Sequence, residues 1–212
     1  VFSRLGGRPV FPTAQPWPEW KTKPQAFLAQ VDLTEIHAAC QSFLPGTGQP
    51  IFFYDQEQGA WGFDPKDLGA WKVLYTEDER SMFQERAAPA ALPADCIYHP
   101  KPVAAHRIDL LPDAQRLPTT DYEWNRDGEA YQELRTLPFA DARHHQMLGY
   151  PSPIQNDDME LECQLASHGI HVGNADGIKD PRVADLKRGA DDWKLLLQLD
   201  TDDDIGWMWG EV

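Results

Sequence analysis

Two stretches of this chain share one pattern, and that pattern limits what the chain can fold into. Phe27-Leu28-Ala29-Gln30-Val31-Asp32 and Trp193-Lys194-Leu195-Leu196-Leu197-Gln198-Leu199-Asp200 each set a lone glutamine inside an apolar run closed by an aspartate. A short apolar run bounded by turn signals reads as a strand buried on both faces. A glutamine amide there is costly unless it is hydrogen-bonded. Gln30 and Gln198 therefore need partners. Pinning a loop or the twin repeat is the structural reading, and reading a ligand is the functional one. Gly7-Arg8-Pro9 precedes the first run and Gly149-Tyr150-Pro151 the second. The chain thus reads as a divergent internal duplication, with the two glutamines in equivalent, buried positions.

The remaining signals fill in the frame. Asp32-Leu33-Thr34-Glu35 has capping-box form and predicts a helix over 33–43, stopped by Leu44-Pro45-Gly46. Segments 49–54 and 71–75 read as strands, and 78–87 as a short helix. A helix over 122–137 would turn Trp124, Tyr131 and Leu134 inward, with Gly128 as its weak point. Asp157-Asp158-Met159-Glu160 opens a further helix that ends at Gly169. The 18 prolines and 15 glycines are dispersed, which favours many short elements over long helices. The expected fold is α+β, with largely antiparallel sheets and a few short helices. It forms a single domain over 1–212, with repeats at about 1–76 and 145–212 joined by a Pro-rich middle segment.

Charge narrows the partners. The net charge is −15, from 34 acidic against 19 basic residues. Nucleic acid requires a basic footprint, and an acidic membrane leaflet attracts basic segments, so neither suits this chain. What remains is solubility, or an acidic surface that receives a basic protein. Cys40, Cys96 and Cys163 form no C-x-x-C pair and read as small buried hydrophobes in a reducing, cytoplasmic setting. No apolar run approaches membrane-spanning length.

Candidate chemistry is sparse. Asp200, Asp202, Asp203 and Asp204 could offer oxygen ligands to Ca²⁺ or Mg²⁺, yet EF-hand spacing would put Ile205 and Val212 where Gly and Glu belong. The four read as a solvated turn or as an acidic patch for docking a partner. His144-His145 and His168-x-x-His171 lack the His-Glu-x-x-His form of a zinc protease. No serine or cysteine sits in a nucleophile motif. The sequence assigns no catalytic residue, metal ligand or cofactor. Its candidate binding residues are Gln30, Gln198, Asp200, Asp202, Asp203 and Asp204.

A wider set of motifs resembles one family. These are Leu5-Gly6-Gly7-x-Pro9, Pro16-Trp17-Pro18, Phe52-Phe53-Tyr54, His145-Gln146-x-Leu148-Gly149-Tyr150-Pro151 with Gln155, and Glu162-Cys163, together with both glutamine runs and Trp207-x-Trp209-Gly210. Together they resemble the YwqG-like family over essentially the whole chain. The resemblance implies a bacterial α+β protein with an internal duplication, and attaches no activity to it. It also implies a further Gly-x-Leu-Tyr-Phe strand beyond Glu211-Val212, where this sequence stops. The leading reading is a non-catalytic binding or protein-interaction module that docks a basic partner, as an immunity protein docks a toxin. The alternative is a hydrolase or metal-dependent enzyme whose carboxylates and histidines converge only in three dimensions. A deep pocket holding carboxylates of perturbed pKa would separate the two.

Overall fold

The computed structural model describes residues 3–40, 42–77, 82–117, 121–139, 143–153 and 158–209. Its strands are Arg4–Leu5 (β1), Val10–Pro12 (β2), Glu19–Trp20 (β3), Lys23–Pro24 (β4), Ala26–Gln30 (β5), Gln49–Tyr54 (β6), Trp71–Thr76 (β7), Phe83–Glu85 (β8) and Lys101–Pro102 (β9). Its helices are Leu33–Ala39 (α1), Trp124–Thr136 (α2), Met159–Ser167 (α3), Ala175–Ile178 (α4) and Val183–Leu186 (α5). The architecture is α+β, and every strand pairing is antiparallel. No helix among the described residues is long and apolar enough to cross a membrane.

The chain divides into two compact units. The first comprises Val1–Trp61, Asp67–Arg107 and Asp202–Val212, and the second comprises Gly62–Lys66 and Ile108–Thr201. A five-stranded sheet of order β7-β6-β5-β1-β9 builds the first unit, with β2–β8 and β3–β4 as two-stranded ribbons. Its central strand β5 is apolar except for Gln30 because it has neighbours on both edges and is covered on both faces. The core gathers Phe11, Phe27, Ile51 and Phe53, with Trp17 and Leu74 packed against them. Phe53 meets Phe11 and Trp17 edge-on, at centroid separations of 6.1 and 5.4 Å, the arrangement the aromatic quadrupole favours. In the second unit Leu165, Ile170 and Val172 form the core, with Leu161, Val183 and Leu186 beside them.

Several expectations change. The capping box at Asp32 forms by half: its side chain accepts from the Thr34 N–H at 3.0 Å, while its own N–H donates to Ser3 Oγ instead of meeting Glu35. The helix then ends at Ala39, short of the expected residue 43. Of the expected helix over 78–87, residues 78–81 lie outside the described residues, and Phe83–Glu85 is strand β8, paired with β2. On α2, Trp124 and Leu134 face solvent, at 68% and 55% exposure. The Trp124 ring folds back over Gly128, where an added Cβ would stand 3.1 Å from it, so this glycine is a seat for the indole.

The second glutamine run departs furthest from expectation. Residues 193–200 form no regular strand, and all of them are exposed or half-buried. A strand buried on both faces needs neighbours on both edges. Among the described residues this segment has one β-bridge, Gln146↔Gln198.

Phe53 carries the first unit's core, so Phe53→Ala should lower the unfolding free energy by about 3–5 kcal/mol in urea titration. A loss under about 1 kcal/mol would show that the aromatic cluster packs around some other residue.

Candidate functional site

Gln30 has no exposed surface. Its Oε1 accepts from the Val10 N–H at 2.9 Å, and its Nε2 donates to the Val10 carbonyl at 2.7 Å. The amide thus grips both polar groups of one residue, as a neighbouring strand would. Nε2 also donates to Oε1 of Gln49 on β6. The chain reaches this grip through Gly6 and Gly7, at φ 61° and 74°. A Cβ on Gly6 would lie 2.2 Å from the His99 carbonyl oxygen, so only glycine fits that close approach. The Gly6 N–H donates to the Leu28 carbonyl at 2.8 Å, and Arg4 pairs with Gln30.

Gln198 makes the same grip in the second unit. Its Oε1 accepts from the Ser152 N–H at 3.0 Å, and its Nε2 donates to the Ser152 carbonyl at 3.2 Å. Leu148 and Gly149 stand at φ 62° and 73°, matching Gly6 and Gly7. The Leu148 N–H points to the Leu196 carbonyl at 3.4 Å, and Gln146 pairs with Gln198. The residue before the paired one supplies a side-chain acceptor in both places. Ser3 Oγ accepts from the Asp32 N–H at 3.0 Å, and His145 Nδ1 accepts from the Asp200 N–H at 3.1 Å. A ring nitrogen that accepts a backbone N–H carries no proton, which puts the neutral ring's proton on Nε2. Gln30 and Gln198, candidates for reading a ligand, here hold Val10 and Ser152. Another buried amide went unnoticed in the sequence: Gln25 Nε2 donates to the carbonyls of Gly69 and Ala70 at 2.9 and 2.6 Å.

The four aspartates take unlike positions. Asp200, half-buried in the second unit, accepts from the Thr201 N–H at 2.8 Å and the His144 N–H at 3.2 Å. Asp202 belongs to the first unit and is fully buried. One carboxylate oxygen accepts from the Asp204 N–H and the other from Lys101 Nζ, each at 3.0 Å. Its carbonyl accepts from the N–H groups of Ile205, Gly206 and Trp207 at 3.1, 2.9 and 3.0 Å, closing a tight turn. Ile205 and Trp207 anchor that turn with no exposed surface. Asp203 stands exposed, while the Asp204 side chain is 78% exposed and lies 3.3 Å from Lys101. Lys101 was missed because it lies in the Pro-rich middle segment, and no local pattern announces a partner 101 residues away.

The histidines are dispersed. His144 stacks on Phe139 at 4.1 Å, His168 Nδ1 donates to the Gln164 carbonyl at 2.8 Å, and His171 lies 4.0 Å from Asp64. Among the described residues no three metal-ligating side chains converge. Arginines hold the carboxylates of Asp127 and Asp180 down to about 2, through Arg126 and Arg182, and Arg116 lowers Glu160 with paired bonds of 2.8 and 2.6 Å. Burial pushes the Cys96 thiol up to about 11, which keeps it from being a thiolate at neutral pH. Cys96 helps line a recess of about 10 Å³ with Trp17, Phe27 and Arg86. That is below the ~300–1,000 Å³ of small-molecule pockets. The Arg86 charge there is engaged by the Phe11 ring at 4.6 Å and by the carbonyls of Pro12 and Gln15, both at 3.1 Å.

A family model described as a domain of unknown function, DUF1963, matches residues 3–212. No curated protein matches the chain.

The Lys101–Asp202 contact can be weighed directly. Lys101→Met would leave a fully buried carboxylate without its counter-ion. The unfolding free energy should fall by about 1–3 kcal/mol, the lysine's own exposure keeping the loss below that of a fully buried pair. Asp203→Asn should change stability by less than about 0.5 kcal/mol. The hydrogen bond to Asp202, chiefly, raises the Lys101 pKa in the fold. Its stabilisation is therefore complete below the ordinary lysine range and disappears as pH rises through the raised value. Wild-type and Lys101→Met stabilities should converge there, and equal stabilities at neutral pH would show that the ion pair contributes nothing.

Proposed function

We propose that this chain, which belongs to the DUF1963 family, is a non-catalytic binding module that receives a basic protein partner. An immunity protein neutralising a toxin in a bacterial cytoplasm is the concrete form of that reading. The observation that carries it is the turn at Asp202–Trp207: two buried anchors, Ile205 and Trp207, and the buried Asp202 fix a loop that presents Asp203 and Asp204 outward. A charge held in place loses little freedom on binding, so its attraction for a cation is not offset by ordering. The net charge of −15 supplies a long-range field of the same sign. The carboxylates with lowered pKa values, Asp127, Glu160 and Asp180, are each paired to arginine, an arrangement suited to structure more than to acid–base chemistry.

The reading includes a YwqG-like divergent duplication. The two amide grips, the paired left-handed residues and the matched acceptors Ser3 and His145 support it. In each copy the glutamine fastens the residue that follows a Gly-x-Pro loop.

The test uses the basic protein that co-purifies with the chain from its native cell. The association rate of wild type should fall steeply with salt. An Asp203→Asn/Asp204→Asn variant should associate about threefold more slowly at low salt and show a shallower salt dependence. Asp202 is left intact because its carboxylate holds the turn. An unchanged rate for the double variant at low salt would remove this turn from recognition and leave solubility as the role of the charge.

A further inference from the structure

We propose that Arg86 and Arg8 form a seat in the first unit for a carboxylate brought from outside the chain. Among the described residues four arginines are half-buried: Arg4, Arg86, Arg116 and Arg135. Removing part of a charge from water is costly unless the charge is paired. The second unit pairs its two, Arg116 with Glu160 at 2.6 Å and Arg135 with Asp113 at 3.0 Å. The first unit's two differ. Arg4 and Arg86 bond to backbone carbonyls and, among the described residues, to no carboxylate. Carboxylates are not scarce, since the chain has 34 acidic residues for 19 basic ones. Two half-buried cations left without one, in so acidic a chain, point to an anion that arrives with a ligand.

Arg86 is fixed in place without being neutralised. Its guanidinium lies over the Phe11 ring at 4.6 Å, and its Nη1 donates to the carbonyls of Pro12, Thr13 and Gln15 at 3.1, 3.5 and 3.1 Å. Carbonyl dipoles orient the group and leave its full charge. Its Nε and Nη2 donate to no group among the described residues. The recess of about 10 Å³ that Arg86 lines is shared with Arg8, Trp17, Leu92 and Ile97, and it has room for one water-sized group. Arg8 makes a single 3.4 Å contact with Glu85, both side chains being exposed, and such a pair holds weakly. Arg4 Nη1 donates to the Arg8 carbonyl at 3.2 Å, which adds a third cation to the same loop. Two carboxylates belong to this end, Glu85 and Asp95, the latter 3.8 Å from Cys96 Sγ, and neither bonds Arg4 or Arg86.

Size and lining select the anion. A recess this small admits one oxygen, so the rest of the ligand stays at its mouth. A planar carboxylate can set two oxygens against adjacent guanidinium donors. Its hydrocarbon attachment then meets apolar surface such as Leu92 and Ile97. A phosphate would press further charged oxygens against those same walls, at a desolvation cost. The net charge of −15 repels any anion at long range, so affinity comes from contact alone and is modest. A protein C-terminus and a free short-chain acid both carry the required group. The seat uses none of the residues of the Asp202–Trp207 turn.

The probes are the dipeptide acetyl-Gly-Leu with a free carboxylate, its C-terminal amide, propionate and inorganic phosphate. Each is titrated at fixed ionic strength and followed through the Arg86 Nε–H and Arg8 backbone N–H signals in ¹⁵N NMR. The dipeptide acid should shift both signals saturably, with a Kd of about 1 mM. The amide should not. Arg86→Gln, read at the Arg8 N–H, should weaken the acid about tenfold or more. Arg8→Gln, read at the Arg86 Nε–H, should weaken it about threefold, and its exposed position keeps the test open if Arg86→Gln fails to fold. The Asp203→Asn/Asp204→Asn variant should bind the acid as wild type does. Propionate binding as tightly as the dipeptide acid would assign the seat to a free acid, and tighter dipeptide binding would assign it to a protein C-terminus. No saturable shift from either acid, equal shifts from the amide, phosphate binding as tight as the carboxylates, or unchanged binding in both arginine variants would each overturn the proposal.

Discussion

A primary amide that takes the place of a neighbouring strand, fully buried at Gln30 and half-buried at Gln198, is the constraint on which both halves depend. β5 is filled by β1 on one side and β6 on the other, yet β2, which carries Val10, belongs to a separate ribbon and not to that ladder. The Val10 N–H and carbonyl need partners, and a single glutamine offers one acceptor and two donors at fixed separation. An aliphatic residue at position 30 would keep the packing and orphan two main-chain groups, a loss of about 1–3 kcal/mol for each that stays buried. Everything that brings Val10 to that place follows from the same need. Gly6 and Gly7 turn the chain back, and Ser3 fastens the strand's far side through the Asp32 N–H.

The second half meets the same need with different residues. Leu148 occupies the left-handed position that Gly6 fills in the first half, and a branched side chain held there costs of order 1–3 kcal/mol unless its surroundings compensate. An imidazole replaces the hydroxyl as the acceptor of the aspartate N–H. What the two halves share is thus a set of hydrogen-bond directions, carried by side chains with little else in common.

Legibility followed from how local each signal was. β6 and β7 were read correctly because a strand's apolar content is a property of six residues. Gln30 and Gln198 could be paired from the Gly-x-Pro sequence ahead of each. Their targets, Val10 and Ser152, depend on how a distant segment meets the glutamine, which no window of sequence contains. The run at 193–200 has a stronger apolar signal than β5, yet it stays half-exposed, because burial depends on what lies alongside as well as on composition. β8 was read as helix because residues 83–85 carry no strand pattern of their own and take their conformation from β2. Trp124 looked like core by type, but its ring found a flat glycine surface on its own helix instead.

The closed turn at Asp202–Trp207 also determines when the first unit can fold. Trp207 and Ile205 are fully buried residues of a unit whose sheet is otherwise complete by residue 102. During synthesis β5, β6 and β7 leave the ribosome long before the tryptophan that Tyr98 packs against, at 5.9 Å, has been translated. Lys101 waits 101 residues for its counter-ion. Contacts this distant in sequence close slowly, because the intervening chain must be brought to order first. A nascent chain therefore carries an apolar sheet with part of its core missing while residues 103–207 are being made. For that interval its solubility rests on the acidic residues already made, not on the finished fold.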